Sequence, residues 1–239
     1  MSQPPTLDAN FCFPVKDLES SKVKLTPFNP SRHAETYFAG SSPHPEIYDY
    51  LPWGPFPSSS AFVQEVYERL IQPDRGMVLL VVLDKTKTTG DSGEPALAGL
   101  IGLLNTSRSQ HCTEIGFVIT LPPFRRTHVT SHATALLLQW CLNRTSEGGL
   151  GMRRVQWQTN ELNVASARAA VKMGFRFEGV IRWQRVLAEG KQGPERFGED
   201  GKKEVPGRHT KMFSLCWDDW EEGEKEKINA RLERDQIRD

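Results

Sequence analysis

The chain has 239 residues, 38% of them hydrophobic, and its 30 basic residues are balanced by 30 acidic ones. That is ordinary for a globular protein, and a formal charge of zero gives no global attraction to nucleic acid or to an anionic membrane. The length allows one large domain or two small ones, and no stretch approaches the roughly 18 apolar residues of a membrane helix.

Residues 1–20 are Pro-rich and polar, and Met1–Asp17 lacks the basic-then-apolar order of a secretion signal. They predict a loose arm. Val23–Phe28 alternates apolar and polar residues, as a strand does, with Pro27 suited to an edge. Residues 30–38 read as a short helix, and Tyr50–Pro57 as an aromatic loop broken by Pro and Gly. Ser58 to Ser60 offer an N-cap for a helix that places Phe62, Val63, Val66 and Leu70 on one side. Met77–Leu83 is a continuous apolar run of strand length, rich in Val, and predicts a buried strand. Asp84–Pro95 reads as a long hairpin loop and Ala96–Leu104 as the partner strand.

Glu114–Ile119 is the next predicted strand, ended by Pro122 and Pro123. Val129, Ala133, Leu136, Leu137, Trp140 and Cys141 share a helical face, and the helix stops at the glycines 148, 149 and 151. Arg154–Thr159 alternates as a strand. Asn163–Met173 reads as a helix closed by Gly174. Phe175–Val186 is strand-like, Ala188–Arg208 is a Gly/Lys/Glu-rich loop, and Met212–Trp217 is the last strand. Residues 218–239 are almost wholly charged and predict a solvated helix or frayed tail. Strands and helices interleave without a linker, which predicts a single α/β domain with a mixed sheet over residues 21–220. The arm 1–20 precedes it and the charged tail 221–239 follows. Cys12, Cys112, Cys141 and Cys216 are scattered, with no CxxC spacing. They predict reduced thiols and a cytoplasmic protein.

The segment richest in chemistry is Glu114-Ile115-Gly116-Phe117-Val118-Ile119, then Pro123-Phe124-Arg125-Arg126-Thr127-His128-Val129-Thr130-Ser131, then a helix. A strand, a basic turn and a helix N-terminus make an anion cradle, because the first helical N–H groups are unpaired and lie at the positive end of the dipole. This segment resembles the acetyl-CoA motif of the GNAT N-acetyltransferases, Gln/Arg-x-x-Gly-x-Gly/Ala. Arg125 takes the first position, and His128 and Thr130 stand where the family has its glycine and its Gly/Ala. Asn163-x-x-Ser166 followed by Gly174-Phe175, then Gly179-Val180-Ile181-Arg182 and Gly207-Arg208-x-Thr210-x-x-Phe213-Ser214, are similar to the RimJ/RimL branch. The resemblance spans roughly Leu25 to Trp220.

The resemblance implies a GNAT-like single domain, with a mixed, centrally splayed sheet flanked by helices. It implies acetyl-CoA as acetyl donor, no metal, and a primary amine as acceptor, possibly a protein N-terminus. The amine would attack the thioester directly, through a tetrahedral intermediate. Arg125, Arg126, Thr127, His128, Val129 and Thr130 would hold the phosphates, and a backbone N–H near Phe117 or Val118 the thioester oxygen. Asn163 would cap its helix and touch the pantetheine arm. Glu114 would take the proton of the amine, or else be a salt-bridged strand carboxylate. Many relatives carry a Tyr acid four residues before the Gly-Phe pair. Here that residue is Ala170, which leaves Ser166 as donor to the thiolate or as a cofactor contact. Three other readings stay open: a small-molecule amine acetyltransferase of the same fold, a non-catalytic CoA-binding module, and an α/β scaffold without cofactor. His128-x-x-x-His132 has the i,i+4 spacing of a metal pair but no third ligand in the sequence, so no metal site is expected.

Overall fold

The computed structural model describes residues 9–89 and 93–234. Its strands are β1 Leu18–Glu19, β2 Val23–Pro27, β3 Val78–Thr89, β4 Glu94–Ser107, β5 Cys112–Thr120, β6 Arg154–Asn160, β7 Arg176–Val186 and β8 Gly207–Cys216. They form one sheet in the order β1-β2-β3-β4-β5-β6-β8-β7. Every neighbouring pair is antiparallel except β5 and β6. The helices are α1 Pro30–Ser41, α2 Ser59–Phe62, α3 Val129–Leu142, α4 Val164–Lys172, α5 Trp217–Asp219 and α6 Lys225–Arg234. The expected mixed α/β sheet is present, in one domain.

Most elements lie where their residues predict. Ser58 caps α2 by accepting a hydrogen bond from the Ala61 N–H, 3.1 Å away. That helix continues as a π-helical segment, Val63–Ile71. The wider turn of a π-helix carries Ile71 rather than Leu70 into the core behind Phe62 and Val66, and Leu70 is exposed. The hairpin loop after β3 is shorter than expected, because Thr88 and Thr89 still pair with Pro95 and Glu94.

Two expectations are corrected by one helix. In α3 every residue except Thr130, Ser131 and Gln139 is buried, so it buries nearly its whole circumference rather than one face. A helix apolar all round needs cover on every side. The sheet covers one side. The rest is covered by the two segments expected to be solvated. From the arm, Phe11 is buried with its ring 6.3 Å from that of Trp140, and Leu18–Glu19 add a strand to the sheet. Just before the tail, Trp220 is fully buried and its indole N–H donates to Asn143 Oδ1 at 3.0 Å. Beyond it, α6 packs on α3 through the buried Ile228 and Leu232, and Asn229 accepts from Gln139 at 2.8 Å. Sparse apolar residues suffice because Ile228 and Leu232 are four apart and meet on one helical face.

This packing predicts that the charged tail is part of the fold. Ile228→Ala should cost about 2–5 kcal/mol, as large-to-small core substitutions do. In a domain of this size that corresponds to a melting temperature lower by roughly 5–15 °C. A thermal melt unchanged within about 1 °C would show instead that α6 contributes nothing to stability.

Candidate active site

β5 and β6 pair in parallel only from Cys112↔Arg154 to Ile115↔Trp157. Beyond that point they diverge, since each is bound to its other neighbour: β5 to β4 as far as Thr120, and β6 to β8 as far as Asn160. The divergence coincides with a bulge. Gly102 faces Gly116 and Leu100 faces Ile119, so Phe117 and Val118 together stand opposite Ile101. Phe117 takes a positive φ of 50° to do this. A bulge of this kind bends and twists its strand, and it opens a fork between two strands that began as neighbours. Gly116 precedes it, where a Cβ would lie 2.1 Å from Leu104 Cδ1.

The side chains at the fork divide between the two faces of the sheet, as strand alternation requires. On one face, Trp157 donates its indole N–H to Ser166 Oγ at 3.0 Å. Ser166 sits in the first turn of α4, where its own N–H donates to the Asn163 side chain at 3.0 Å. Asn163 is therefore the N-cap that its residue type predicts. Because Ser166 Oγ accepts from Trp157, its hydroxyl hydrogen is left free to donate to another group. Gly174 closes the end of this helix at φ 87°, with residue 175 leading into β7.

On the other face, Glu114 is buried, and its Oε2 accepts from Asn105 Nδ2 at 2.9 Å and from Gln158 Nε2 at 2.8 Å. Burial pushes its pKa above the ordinary carboxylate value. The Asn105 hydrogen bond and the nearby Arg185 and Arg208 oppose the rise without cancelling it. Its other oxygen, Oε1, lies on the side of Gly116. Glu114 is thus a buried carboxylate of raised pKa, with Oε2 held by two amide donors and Oε1 on the side of Gly116. Trp53, from the aromatic loop before α2, packs on Phe117 with ring centroids 5.5 Å apart.

The loop from Arg125 to Thr130 joins β5 to α3. Its positive φ falls on Arg126, at 61°, while His128 is ordinary right-handed helical backbone and needs no glycine. The His128 side chain turns away to the buried Asp84 on β3, with Nε2 3.1 Å from Asp84 Oδ1. The loop is tied at three more points. Thr127 Oγ1 donates to the Phe124 carbonyl at 2.6 Å, Thr120 and Thr130 hydroxyls meet at 2.8 Å, and Arg125 Nε donates to the Thr120 carbonyl at 3.2 Å. Arg126 forms no ion pair among the described residues. Val129 begins α3 and is buried under the loop. In the His128/His132 pair, His128 Nε2 meets Asp84 and His132 Nδ1 meets Ser20 Oγ at 2.9 Å.

The fold therefore brings the sequence-selected residues together in two groups, a basic helix-start loop and a fork flanked by Glu114 and Ser166. Sequence reasoning did not select Asn105, Gln158, Trp157, Asp84 or Arg208 for a role. Gln158 and Trp157 carry no local signal beyond alternation. Arg208 lies in the Gly207-Arg208-x-Thr210 motif, and its burial is set by packing. A cavity of about 550 Å³ opens in the β7–β8 loop between Glu189 and Pro206, and no residue around Glu114 lines it.

Residues 22–176 match the family model described as an acetyltransferase (GNAT) domain. No curated protein matches the chain. Among solved structures, the chain is similar to a GCN5-related N-acetyltransferase from Brucella melitensis. The TM-score is 0.72 at 25% identity, over 95% of this chain and 87% of that one. A probable acetyltransferase of the GNAT family from Chromobacterium violaceum gives 0.69 at 26% identity, over 92% and 97%. The structure titled RimL, ribosomal L7/L12 alpha-N-protein acetyltransferase, gives 0.63 at 14% identity, over 84% and 94%, a likeness of fold alone.

The raised pKa of Glu114 has a thermodynamic consequence. The folded protein holds this proton more tightly than the unfolded chain. The associated stability is present below the ordinary carboxylate pKa and is lost as pH rises through the raised one. Glu114→Gln removes that titration while keeping the shape. The variant should gain in melting temperature relative to the parent as pH rises from 4 to 8. A variant that instead loses stability progressively over that range would mean the carboxylate is held in a favourable ion pair.

Proposed function

Because the chain belongs to the GNAT acetyltransferase family, we propose that it transfers an acetyl group from acetyl-CoA to a primary amine, with Glu114 as base and Ser166 as donor to the leaving thiolate. The observation that carries this reading is the fork between β5 and β6, which has Glu114 on one face of the sheet and Ser166 on the other. A thioester lying in the fork is flanked by both. As the amine nitrogen bonds to the carbonyl carbon and the C–S bond breaks, one proton leaves nitrogen and one is needed at sulfur. Glu114, kept basic by its burial, takes the first. The Ser166 hydroxyl, oriented by Trp157, meets the second need.

The donor's phosphates suit the Arg125–Thr130 loop. Its start-of-helix N–H groups and the dipole of α3 attract an anion without a metal, and Arg126 is a cation with no partner among the described residues. His128 fits at a glycine position of the family because Asp84 draws its imidazole off the loop. The bulged backbone at Phe117 and Val118 supplies N–H groups at the fork for the thioester oxygen. Asn163, at the start of α4, borders the same opening. For the acceptor, the motifs at Asn163–Phe175 and Gly207–Ser214, similar to the RimJ/RimL branch, favour a protein N-terminus, whose α-amino pKa of about 7.7–8.0 asks only mild help from a base. The four free cysteines suit a reducing compartment and support a cytoplasmic location.

Two measurements test the reading. Replacing Arg125 and Arg126 together by Ala should weaken acetyl-CoA binding by about tenfold or more in calorimetry at low salt, and by less at high salt, where screening already weakens the phosphate contacts. Unchanged affinity would remove the loop from the donor site. Glu114→Gln should bind acetyl-CoA normally and turn over about 10²–10⁴-fold more slowly. Its defect should shrink as pH rises and more of the amine is already deprotonated. A rate within about threefold of the parent at every pH would return Glu114 to a structural role.

A further inference from the structure

The face of the sheet that carries Glu114 also carries a row of buried polar side chains. Along β6, Gln158 and Asn160 are two apart and share that face. Asn160 pairs in register with Thr210 on β8, which places Thr210 beside it and Arg208, two residues further, at the end of the row. Arg208 in turn lies opposite Arg185 on β7. Gln184 reaches in from β7 and donates to Gln158 Oε1 at 2.9 Å, and Gln158 donates to Glu114.

This row is not satisfied internally. Arg208 is only 7% exposed, forms no ion pair among the described residues, and its Nε has no acceptor. The buried polar atoms Asn160 Nδ2, Thr210 Oγ1 and Gln184 Oε1 are also without partners. A buried charge without a counter-ion is among the most expensive features a fold can carry. Burial first and the neighbouring Arg185 second push the Arg208 pKa down to about 10, so it stays protonated at neutral pH. Glu114 is the carboxylate that faces this pair, but it forms no ion pair with the buried Arg208, and its Oε2 is taken by Asn105 and Gln158.

Resting on the acetyl-transfer reading, we propose that the acceptor is a primary amine carrying a carboxylate close to the amine, and that Arg208 and Arg185 bind that carboxylate while Glu114 faces the amine. The ligand supplies the missing counter-ion, and the guanidinium at the end of the row is matched to a carboxylate by its planar array of donors. Arg208, buried, sets the position. Arg185, exposed, sits where the carboxylate enters. Two sources supply this chemistry: a free amino acid with its α-carboxylate, or a peptide whose first side chain is acidic.

Matched pairs differing only in the charge separate them: alanine against alaninamide, and a C-terminally amidated peptide beginning Asp-Ala against one beginning Asn-Ala. The carboxylate member of at least one pair should have a kcat/KM higher by about tenfold or more, mainly through KM. A preference in the first pair points to amino acids, and one in the second to protein N-termini. Arg208→Gln should erase the preference. Since Arg208 is buried, Arg185→Gln provides a variant at an exposed position, and it should reduce the same ratio. Equal treatment of both members of both pairs, or a preference untouched by either variant, overturns the proposal. The same amines titrated calorimetrically into the CoA-loaded protein keep the two ideas apart. Selective binding of carboxylates without any turnover would refute acetyl transfer and uphold the anion site. Turnover without selectivity would do the reverse.

Discussion

The architecture depends on one place where hydrogen bonding stops. β5 and β6 begin as parallel neighbours and lose one another after Ile115↔Trp157, because the bulge at Phe117 and Val118 turns β5 along β4 while β6 stays with β8. Backbone groups that would otherwise complete a ladder are exposed at the opening, and an unpaired backbone edge attracts whatever can hydrogen-bond to it. In most sheets that is a hazard. Here it lies in the interior of the domain, with side chains of opposite faces, Glu114 and the Trp157–Ser166 pair, on either side.

The fork is held open by packing some distance away. β5 leads into α3, and α3 is buried around almost its whole circumference. The N-terminal segment around Phe11 and the C-terminal helix α6 close over the side that the sheet does not reach. The ends of the chain thus support the helix that begins at the Arg125–Thr130 loop. The loop itself is tied by polar contacts from His128 to β3, from Thr130 and Arg125 to β5, and from Thr127 to the Phe124 carbonyl, so its backbone is fixed at several points.

The two faces of the sheet around the fork are energetically unlike. The Trp157 face is conventional core, with Trp157 against Phe175 and Val155 and Leu215 buried. The Glu114 face holds a polar chain from Asn105 through Glu114 and Gln158 to Gln184, with the unpaired Arg208 beyond it. Such a chain stabilises only where every member is satisfied. Its cost is borne by the apolar mass of the remaining sheet and α3. The loop after β7 folds back over the aromatic segment, where Lys191 Nζ donates to the Tyr48 carbonyl at 2.6 Å.

The sequence by itself determined the elements whose cause is local. Alternation placed β2 and β6, the Ser58 and Asn163 caps opened their helices, Gly174 closed one, and the motif set from Glu114 to Phe175 pointed to the family. Both ends of the chain were misjudged for one reason. Composition measures how polar a segment is on average, whereas docking needs only Phe11, Ile228 and Leu232 in the right places. The shift from Leu70 to Ile71 follows from the same limit, since a π-turn is selected by what the helix packs against. Only the tertiary structure decided which polar residues meet. Gln158 lies 44 positions from Glu114 and His128 lies 44 from Asp84, and no periodicity links residues so far apart. Their contacts are created by strand register, and register is set by the summed burial of both faces of the sheet rather than by any residue taking part in the site.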